Sequence, residues 1–284
     1  MRPTLLEVFG YKFHAYPTML AVAFLTVTLL AVRDFQRRNP PIDVTPQGGL
    51  WAFLGGLVGA KVYWILQYSE PKYLWHALFV WEGGLVYYGG LIGGIFAVFV
   101  YMTVNRFPRR IAADVVAPYV ALAEAITRIG CFLNGCCWGA PTNMPWGVTF
   151  PKGSHAYAQQ VRDHIITGKE AVCAPVHPTQ LYMTLGLVLV MLILKRHERT
   201  RHTPGATAAL YLFFYGILRF TVEIFRGDSA KSVAGMTVSE AISLALVFVG
   251  AVLFLVLRGA PVETPPEALD AAPVEPGAPV STEK

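Results

Sequence analysis

The feature that most constrains this chain is the length of its apolar blocks. Crossing a bilayer takes about 20 residues of helix, and block after block reaches that length. Hydrophobic residues make up 54% of the chain and charged residues only 14%, whereas soluble chains carry about a quarter charged residues. Too few charges remain to cover a water-facing surface, which excludes a soluble all-α fold.

We predict an all-α, polytopic integral membrane protein of about seven transmembrane helices. The predicted helices are Tyr16–Val32, Gly49–Tyr68, Leu85–Val104, Ile111–Cys131, Thr179–Leu194, Gly205–Phe225 and Thr237–Leu257.

Basic residues fall in short clusters between these blocks. They follow the first, third, fifth and seventh predicted helices, so every alternate junction is basic. By the positive-inside rule the N-terminus then lies outside and the C-terminus in the cytoplasm. The clusters make no continuous stripe of the kind that binds nucleic acid, so we predict no nucleic-acid partner. The clusters are Arg33, Arg37 and Arg38; Arg106, Arg109 and Arg110; Lys195, Arg196, Arg199 and Arg201; and Arg258.

The chain divides into a transmembrane domain and a tail. The domain spans residues 1–258, and its first apolar block has no cleavage-type ending, so we interpret that block as a retained helix. Within the domain, residues 135–178 are rich in Gly, Pro and His and too polar for lipid, and we predict an external, periplasmic arm over the mouth of the bundle. Residues 259–284 are rich in Pro, Ala and acidic residues, which predicts a disordered cytoplasmic tail.

Glycines are concentrated in the second and third predicted helices. Small residues four apart let helix backbones approach closely, and packing is the favoured explanation for the second helix. In the third helix, bare backbone beside aromatic residues can equally let a lipid headgroup approach. The glycines are Gly55, Gly56 and Gly59 in the second helix and Gly89, Gly90, Gly93 and Gly94 in the third.

Polar residues inside the predicted helices are the second constraint. A charged side chain at bilayer depth costs at least about 2.5 kcal/mol, so such residues pair, face a cavity or carry function. Tyr215, Arg219 and Glu223 recur every four residues and therefore share one helix face. The other residues of this kind are Arg226, the pair Glu124 and Arg128, Asn134 and Lys61.

Two interpretations differ in what the arginines do. Buried ion pairs that only fix helix register would account for Glu124 with Arg128. They account less well for the whole set, because the arginines outnumber what pairing needs. Guanidinium groups bind phosphate in a bidentate way and keep their charge, and a lipid phosphate is the anion available at that depth. We therefore predict that Arg128, Arg219 and Arg226 bind a phospholipid headgroup.

Several motifs in order carry a family resemblance. The segment RIGCFLNGCCWG (residues 128–139), followed by PWGVTFP (145–151), resembles the signature of the prolipoprotein diacylglyceryl transferase family. That family's pattern runs Gly-Arg-x-Gly-Asn-Phe-x-Asn-Gly-Glu-x-x-Gly. The resemblance covers nearly the whole chain except the tail, and the predicted topology is also the family's. The other agreeing segments are the region of Tyr16, Lys61 in its Gly-rich helix, WEGGLVYYGGLIGG (81–94), HPTQLY (177–182) and YGILRFTVEIFR (215–226).

The resemblance implies the first step of lipoprotein maturation at the bacterial inner membrane. The diacylglyceryl group of phosphatidylglycerol would pass to the lipobox cysteine of a preprolipoprotein, recognised through its signal peptide, and glycerol phosphate would leave. Such a reaction needs a thiolate, an electrophilic carbon and a stabilised phosphate; we expect no cofactor and no metal. The implied roles are phosphate binding for Arg128 and Arg219, orientation of Arg219 by Glu223, positioning of lipid or leaving group for Tyr16 and Tyr215, shaping of the site for Asn134 and Gly139, and lipid binding for Lys61, Tyr88, Gly89, Gly90 and Arg226.

The sequence departs from the family pattern at three positions. The family's histidine before Gly-Gly-Leu is Tyr88, its first signature asparagine is Cys131, and its glutamate is Cys136. Tyrosine is a poor base near neutral pH because its ordinary pKa is about 10. We favour retained transferase activity, since the arginine, tyrosine and HPTQLY elements remain. The alternatives are a relative that binds or moves phospholipid without catalysis, and one that modifies a different acceptor.

The four cysteines allow several interpretations. In an oxidising periplasm, Cys136 or Cys137 could form a disulfide with Cys173 across the arm. Zinc binding by Cys131, Cys136, Cys137 and His177 is conceivable, but adjacent cysteines do not match common ligand spacing. A covalent lipid on Cys131 or Cys136 is a third hypothesis, and simple packing of Cys131 at a helix end is the fourth.

Overall fold

The computed structural model describes residues 4–8, 11–37, 46–68, 86–200, 203–227 and 235–257. The predicted tail and the segment Trp81–Leu85 lie outside these ranges. The elements are β1 (Thr4–Val8), β2 (Tyr11–His14), α1 (Ala15–Arg37), α2 (Gln47–Tyr68), α3 (Tyr87–Val104), α4 (Arg109–Asn134), α5 (His155–Arg162), α6 (Thr179–Glu198), α7 (Ala206–Glu223) and α8 (Val238–Leu257).

Each of the predicted transmembrane segments falls on a helix, from α1 to α4 and from α6 to α8. Within the described ranges, five helices (α1, α2, α4, α6 and α8) are long and apolar enough to cross a membrane, and Gly89–Val104 of α3 is a shorter apolar helix. Helix α7 carries Arg219 and Glu223 near its end. Large apolar side chains face outward, with Leu66 81% and Phe248 70% exposed, as expected where lipid is the solvent. The chain is a multi-pass membrane protein.

A short antiparallel hairpin precedes α1, which the all-α prediction did not include. Strands β1 and β2 pair with Glu7 opposite Lys12 and Val8 opposite Tyr11. Because β2 runs directly into α1, the hairpin lies at the same end of α1 as Tyr16. Apolar periodicity missed it because the strands are only 5 and 4 residues long.

Contacts between helix ends show that the helices alternate in direction. Lys195 of α6 donates to Asp34 of α1 at 2.5 Å and to the Tyr119 hydroxyl of α4 at 3.1 Å. Thr203, before α7, donates to the carbonyl of Leu257 at the end of α8. The C-terminal ends of α1, α6 and α8 therefore meet the N-terminal halves of α4 and α7, and we call this the basic end. The segment joining α4 to α6 lies at the opposite end, the arm end.

Helix α7 starts on a buried carboxylate from another helix. Asp114 of α4 is 2% exposed and accepts hydrogen bonds from the backbone N–H groups of Gly205 (2.7 Å) and Ala208 (2.8 Å). The first N–H groups of a helix have no partner inside it, and a negative charge there also complements the helix dipole. Asp114 thus fixes where α7 begins, and so how far Arg219 reaches toward the arm end.

The central core is built from α4, α6 and α7, with small residues on one side and large ones on the other. Its α4 face is made of alanines, which lets α6 approach closely, and Leu187 and Leu194 of α6 are completely buried. The buried members of this core are Ala117, Ala121, Ala125, Met183, Leu187, Val190, Leu194 and Val222.

Helices α2 and α3 pack through their glycines. A Cβ on Gly59 would overlap the Gly89 carbonyl and the Gly93 Cα, and a Cβ on Gly93 would overlap the Gly55 carbonyl. Packing, the favoured explanation for the second helix, therefore also accounts for the glycines of the third. The bare backbone of Gly89 faces Gly59 and Tyr63 of α2, and its contact with a lipid headgroup stays a prediction.

The arm, residues 135–178, has a hydrophobic core of its own, although its composition suggests irregular structure. Helix α5 is capped by Ser154, whose Oγ accepts from the Tyr157 N–H. Gln160 bonds the backbone of Ala174 twice, at 2.7 and 3.1 Å. The buried residues of this core are Phe150, Ala156, Tyr157, Cys173 and Val176. The arm is therefore a packed unit held against the bundle.

We expect Gly59→Ala to destabilise the α2–α3 pair, since the new Cβ has no room. Overpacking of this kind costs about 1–3 kcal/mol and should lower the midpoint of thermal unfolding in detergent. Gly56→Ala is the matched control, because its Cβ would lie 3.4 Å from the nearest atom, the Gly90 carbonyl oxygen. Equal midpoints for the two variants would contradict the packing assignment.

Candidate functional site

The Glu223 carboxylate organises the arm end of α7. Its side chain is 1% exposed and lies 2.5 Å from Arg219 and 3.8 Å from Arg226. The Thr237 hydroxyl donates to its second oxygen at 3.0 Å. Arg219 also donates to the Ser239 hydroxyl at 2.9 Å. The four-residue spacing in the sequence thus corresponds to a real contact, and further partners come from Thr237, just before α8, and from Ser239 in its first turn.

A second carboxylate, Glu124, holds Arg128 on α4. Arg128 donates through Nη2 at 2.7 Å and Nε at 3.3 Å, and the Tyr215 hydroxyl of α7 donates to the same oxygen at 3.4 Å. Glu124 therefore joins two of the predicted site residues from different helices. We predicted the ion pair but gave Glu124 no place in the site.

The arginines held by Glu223 and by Glu124 line one pocket. The pocket has about 180 Å³ of empty space, open solvent at its mouth included, and lies between α4, α6, α7 and the arm. Two of its guanidinium groups, Arg128 and Arg219, are 18% and 14% exposed, and Arg226 is 15% exposed, so each is fixed by its carboxylate yet open to a ligand. The lining residues are Arg128, Cys137, Thr179, Gln180, Met183, Arg219, Val222 and Arg226.

Gln180 and Thr179 hold the cysteine segment in place. The Thr179 hydroxyl donates to the Cys137 carbonyl at 2.7 Å, and Gln180 Nε2 donates to the Cys136 carbonyl at 2.7 Å. Gln180 is 1% exposed, and its Oε1 has no hydrogen-bond partner within the described ranges. A buried acceptor of this kind is available to a ligand or to an ordered water in the pocket. The motif HPTQLY contains these residues, but sequence reasoning singled out only His177.

Gly139 joins three distant segments through the main chain. Its N–H donates to the His177 carbonyl at 3.0 Å, and the next residue, Ala140, donates to the Phe225 carbonyl at 2.8 Å. Gly139 also forms a bridge with Arg226. A Cβ at Gly139 would overlap His177 and the Phe225 carbonyl, so a glycine is required there. The structure thus places Gly139 beside the pocket, where it fixes the backbone of Arg226.

Tyr16 and Asn134 also lie at the arm end. Gly130 of α4 is close enough to α1 that a Cβ on it would lie 3.4 Å from the Tyr16 Cα. Asn134 is the last residue of α4, next to Gly135, whose φ of 72° ends the helix. Both residues therefore belong to the neighbourhood of Arg128.

Other predicted lipid-binding residues are not brought to this pocket. Lys61 is buried in α2, with its Nζ 5.1 Å from the centre of the Trp64 ring. Gly89 and Gly90 lie against α2. The backbone of Tyr88 is in the first turn of α3, but its side chain lies outside the described residues.

The cysteines form a cluster that excludes Cys173. The sulfur atoms of Cys131, Cys136 and Cys137 all lie within 4.8 Å of one another, close enough to hold a metal ion. All four cysteines are free thiols, so the predicted disulfide to Cys173 is not formed. The physical reason is that Cys173 is buried in the core of the arm, where its sulfur accepts from the Phe150 N–H at 3.1 Å.

Cys137 is the most acidic of the thiols outside the helices. Hydrogen bonds from Cys131 and Cys136, and then the positive charges of Arg226 and Arg128, hold the pKa of Cys137 below its ordinary value. Burial raises the pKa of the Cys173 thiol. The positive charges around the pocket therefore favour the anionic form of the Cys137 sulfur.

Fold and site together define the class: a multi-pass membrane protein with an arginine-lined pocket. The family model for prolipoprotein diacylglyceryl transferase matches residues 3–256, and the chain belongs to that family. The resemblance drawn from the motifs is confirmed.

A relative from Clostridium tetani is 31% identical over 91% of this chain and 98% of its own length. Relatives from Roseobacter denitrificans (30% identical; 91% and 95%) and Mannheimia succiniciproducens (33% identical; 85% and 87%) are similar. All three are named phosphatidylglycerol–prolipoprotein diacylglyceryl transferase.

We expect Cys137 to be alkylated faster than Cys173 at about pH 6.5, because the thiolate is the nucleophile and a lowered pKa keeps it populated as the pH falls. The alkylation rates are measured by mass spectrometry on reduced, chelator-treated protein as the pH is raised. In the pH range where the alkylation rate of Cys137 has levelled off, that of Cys173 should still rise about tenfold per pH unit. Arg226→Gln removes a positive charge and should move the Cys137 profile to higher pH. Identical profiles for the variant and the parent would contradict the electrostatic cause.

Proposed function

We propose that this chain transfers the diacylglyceryl group of phosphatidylglycerol to the lipobox cysteine of a preprolipoprotein and releases glycerol phosphate. The observation that carries the proposal is the convergence of Arg128, Arg219 and Arg226 on one pocket. Membership of the transferase family and the names of the relatives support it. The reaction is an attack by a thiolate on the lipid glycerol carbon that bears the phosphate.

The arginines stabilise the leaving group. When the carbon–oxygen bond breaks, negative charge grows on the phosphate, and preformed donors aimed at that charge lower the barrier. Arg219 is held ready by Glu223 (2.5 Å) and Ser239 (2.9 Å), so little reorganisation is needed. Arg128 is held in the same way by Glu124. A guanidinium also keeps its proton throughout the reaction.

The headgroup and the lipid are positioned by the polar groups around the arginines. We assign the Gln180 Oε1 as acceptor for a glycerol hydroxyl, because it is buried and its hydrogen-bonding capacity is unused among the described residues. Tyr215, bonded to Glu124, and Tyr16 position the lipid, while Asn134 shapes the site. Lys61 and Tyr88 remain assigned to lipid binding by resemblance alone.

The proposed setting is the bacterial inner membrane, crossed seven times. The helices that carry the seven predicted segments alternate in direction, and Lys195 and Arg110 both belong to the end opposite the arm. With the basic end in the cytoplasm, the N-terminus and the arm lie outside. The pocket then faces the outer leaflet, where the lipobox cysteine of a signal peptide emerges.

We expect the chain to restore lipoprotein modification in cells depleted of their own transferase. Mass spectrometry of a reporter lipoprotein should show diacylglyceryl on the lipobox cysteine. An unmodified cysteine despite good expression of the chain would contradict the function, and phospholipid binding without modification would support the non-catalytic alternative instead.

We expect Arg219→Ala to abolish turnover and Arg219→Lys to lower it by about 10²–10³, the usual loss when one charge-stabilising donor is misplaced. Lysine keeps the charge that Glu223 needs but cannot donate in a bidentate way, so the lysine variant separates chemistry from folding. Arg162→Ala is the matched control, since Arg162 is exposed on the arm and donates only to Gln159 in the described structure. Undiminished turnover in Arg219→Ala would remove Arg219 from the mechanism.

A further inference from the structure

Three thiols converge beside the arginine pocket because of two left-handed residues. Cys131 lies in the last turn of α4, Gly135 (φ 72°) reverses the chain, and Cys137 (φ 59°) brings its side chain back toward the others. A left-handed conformation is strained for a non-glycine residue and persists only where the surrounding structure enforces it. Here Thr179 and Gln180 impose it through the carbonyls of Cys137 and Cys136.

The sulfur positions suit a metal ion better than a disulfide. Zinc–sulfur bonds of about 2.3 Å in tetrahedral geometry place the sulfurs about 3.8 Å apart, and the three sulfurs here already lie within 4.8 Å of one another. A disulfide would use two sulfurs and leave the third without a role. Adjacent cysteines in the sequence do not match the common spacing of zinc ligands. The turn at Gly135 nevertheless brings the three sulfur atoms together in space, which the spacing alone does not predict.

The charges around the cluster suit bound metal as well. A divalent cation held by three thiolates carries a net charge of minus one. Arg128 and Arg226 line the same pocket as Cys137 and can balance that charge. No further histidine, cysteine or carboxylate joins the three sulfurs in the part of the chain that the structure describes. Three protein ligands with an open fourth position are typical of catalytic zinc.

We propose that Cys131, Cys136 and Cys137 bind Zn²⁺, and that the acceptor thiol of the lipobox peptide takes the fourth position. The second half of this proposal rests on the proposed function. Cys137 lines the same pocket as Arg128 and Arg219, so a thiol bound to the metal lies beside the phosphate that must leave. The site would also supply what Tyr88 cannot, since a coordinated thiol loses its proton without a base.

In the proposed step the acceptor S–H gives its proton to solvent when the sulfur binds the metal. The sulfur lone pair then forms a carbon–sulfur bond with the glycerol carbon of the lipid. The bond from that carbon to the phosphate oxygen breaks, and its electron pair leaves with glycerol phosphate, which the arginines hold. The sulfur is now a neutral thioether, a weaker ligand than a thiolate, and the product departs. No oxidant or reductant is consumed.

The test is Co²⁺ titration of the full chain, purified in detergent and reduced. One equivalent should give sulfur-to-cobalt charge-transfer absorption and intense tetrahedral d–d bands, both lost when Zn²⁺ is added. Cys136→Ser and Cys137→Ser should weaken binding by more than about tenfold, given that even outer-shell changes cost that much. Cys173→Ser, which alters a buried thiol outside the cluster, should bind as the parent does.

A lipobox peptide with cysteine should then shift the d–d bands, and the same peptide with serine should not. Absence of saturable Co²⁺ binding to the parent protein overturns the metal site without reliance on any variant, and Co²⁺ binding unchanged in Cys136→Ser overturns it as well. Full transferase activity in zinc-free protein overturns the metal's role while leaving the proposed function standing. Peptide coordination without diacylglyceryl transfer in the presence of phosphatidylglycerol supports the site and removes the function.

Discussion

A carboxylate buried at the end of α7 determines how the arginines at the arm end are oriented. Glu223 has almost no contact with solvent, and a buried charge is tolerated only when it is paired and hydrogen-bonded. The partners it requires are Arg219, Arg226 and the Thr237 hydroxyl. Pairing therefore fixes the direction of two guanidinium groups and ties the start of α8 to the end of α7. The arginines can face a ligand because the carboxylate behind them prevents any other arrangement.

The opposite end of α7 is fixed with similar strictness. Asp114 accepts from the N–H groups of Gly205 and Ala208, so any sliding of the helix along its axis would break both of these hydrogen bonds. Because contacts fix both of its ends, α7 holds a defined axial position between the basic end and the pocket. Its alanine-lined contact with α4 and α6 then decides only its sideways position.

The sequence predicted the parts of this protein that depend on local pattern. Apolar block length located the helices, and the four-residue spacing of Tyr215, Arg219 and Glu223 placed them on one face, as observed. Spacing could not predict the cysteine cluster, because its convergence depends on the left-handed turn at Gly135. Nor could it identify Gln180, whose importance arises from its burial and from an oxygen that has no hydrogen-bond partner among the described residues. The glycines of α3 were ambiguous, since close packing and ligand approach demand the same residue.

The junction at Gly139 has a consequence for how such a site can change over time. The segments that carry the arginines, the cysteines and His177 are joined there by main-chain hydrogen bonds, which any residue except proline can supply at the positions around Gly139 itself. Side chains next to the junction can therefore be exchanged without displacing the phosphate-binding groups. A scaffold of this kind is evolvable: Cys131 and Cys136 could enter the signature, and bring new chemistry with them, while the geometry inherited from an ancestor stayed intact.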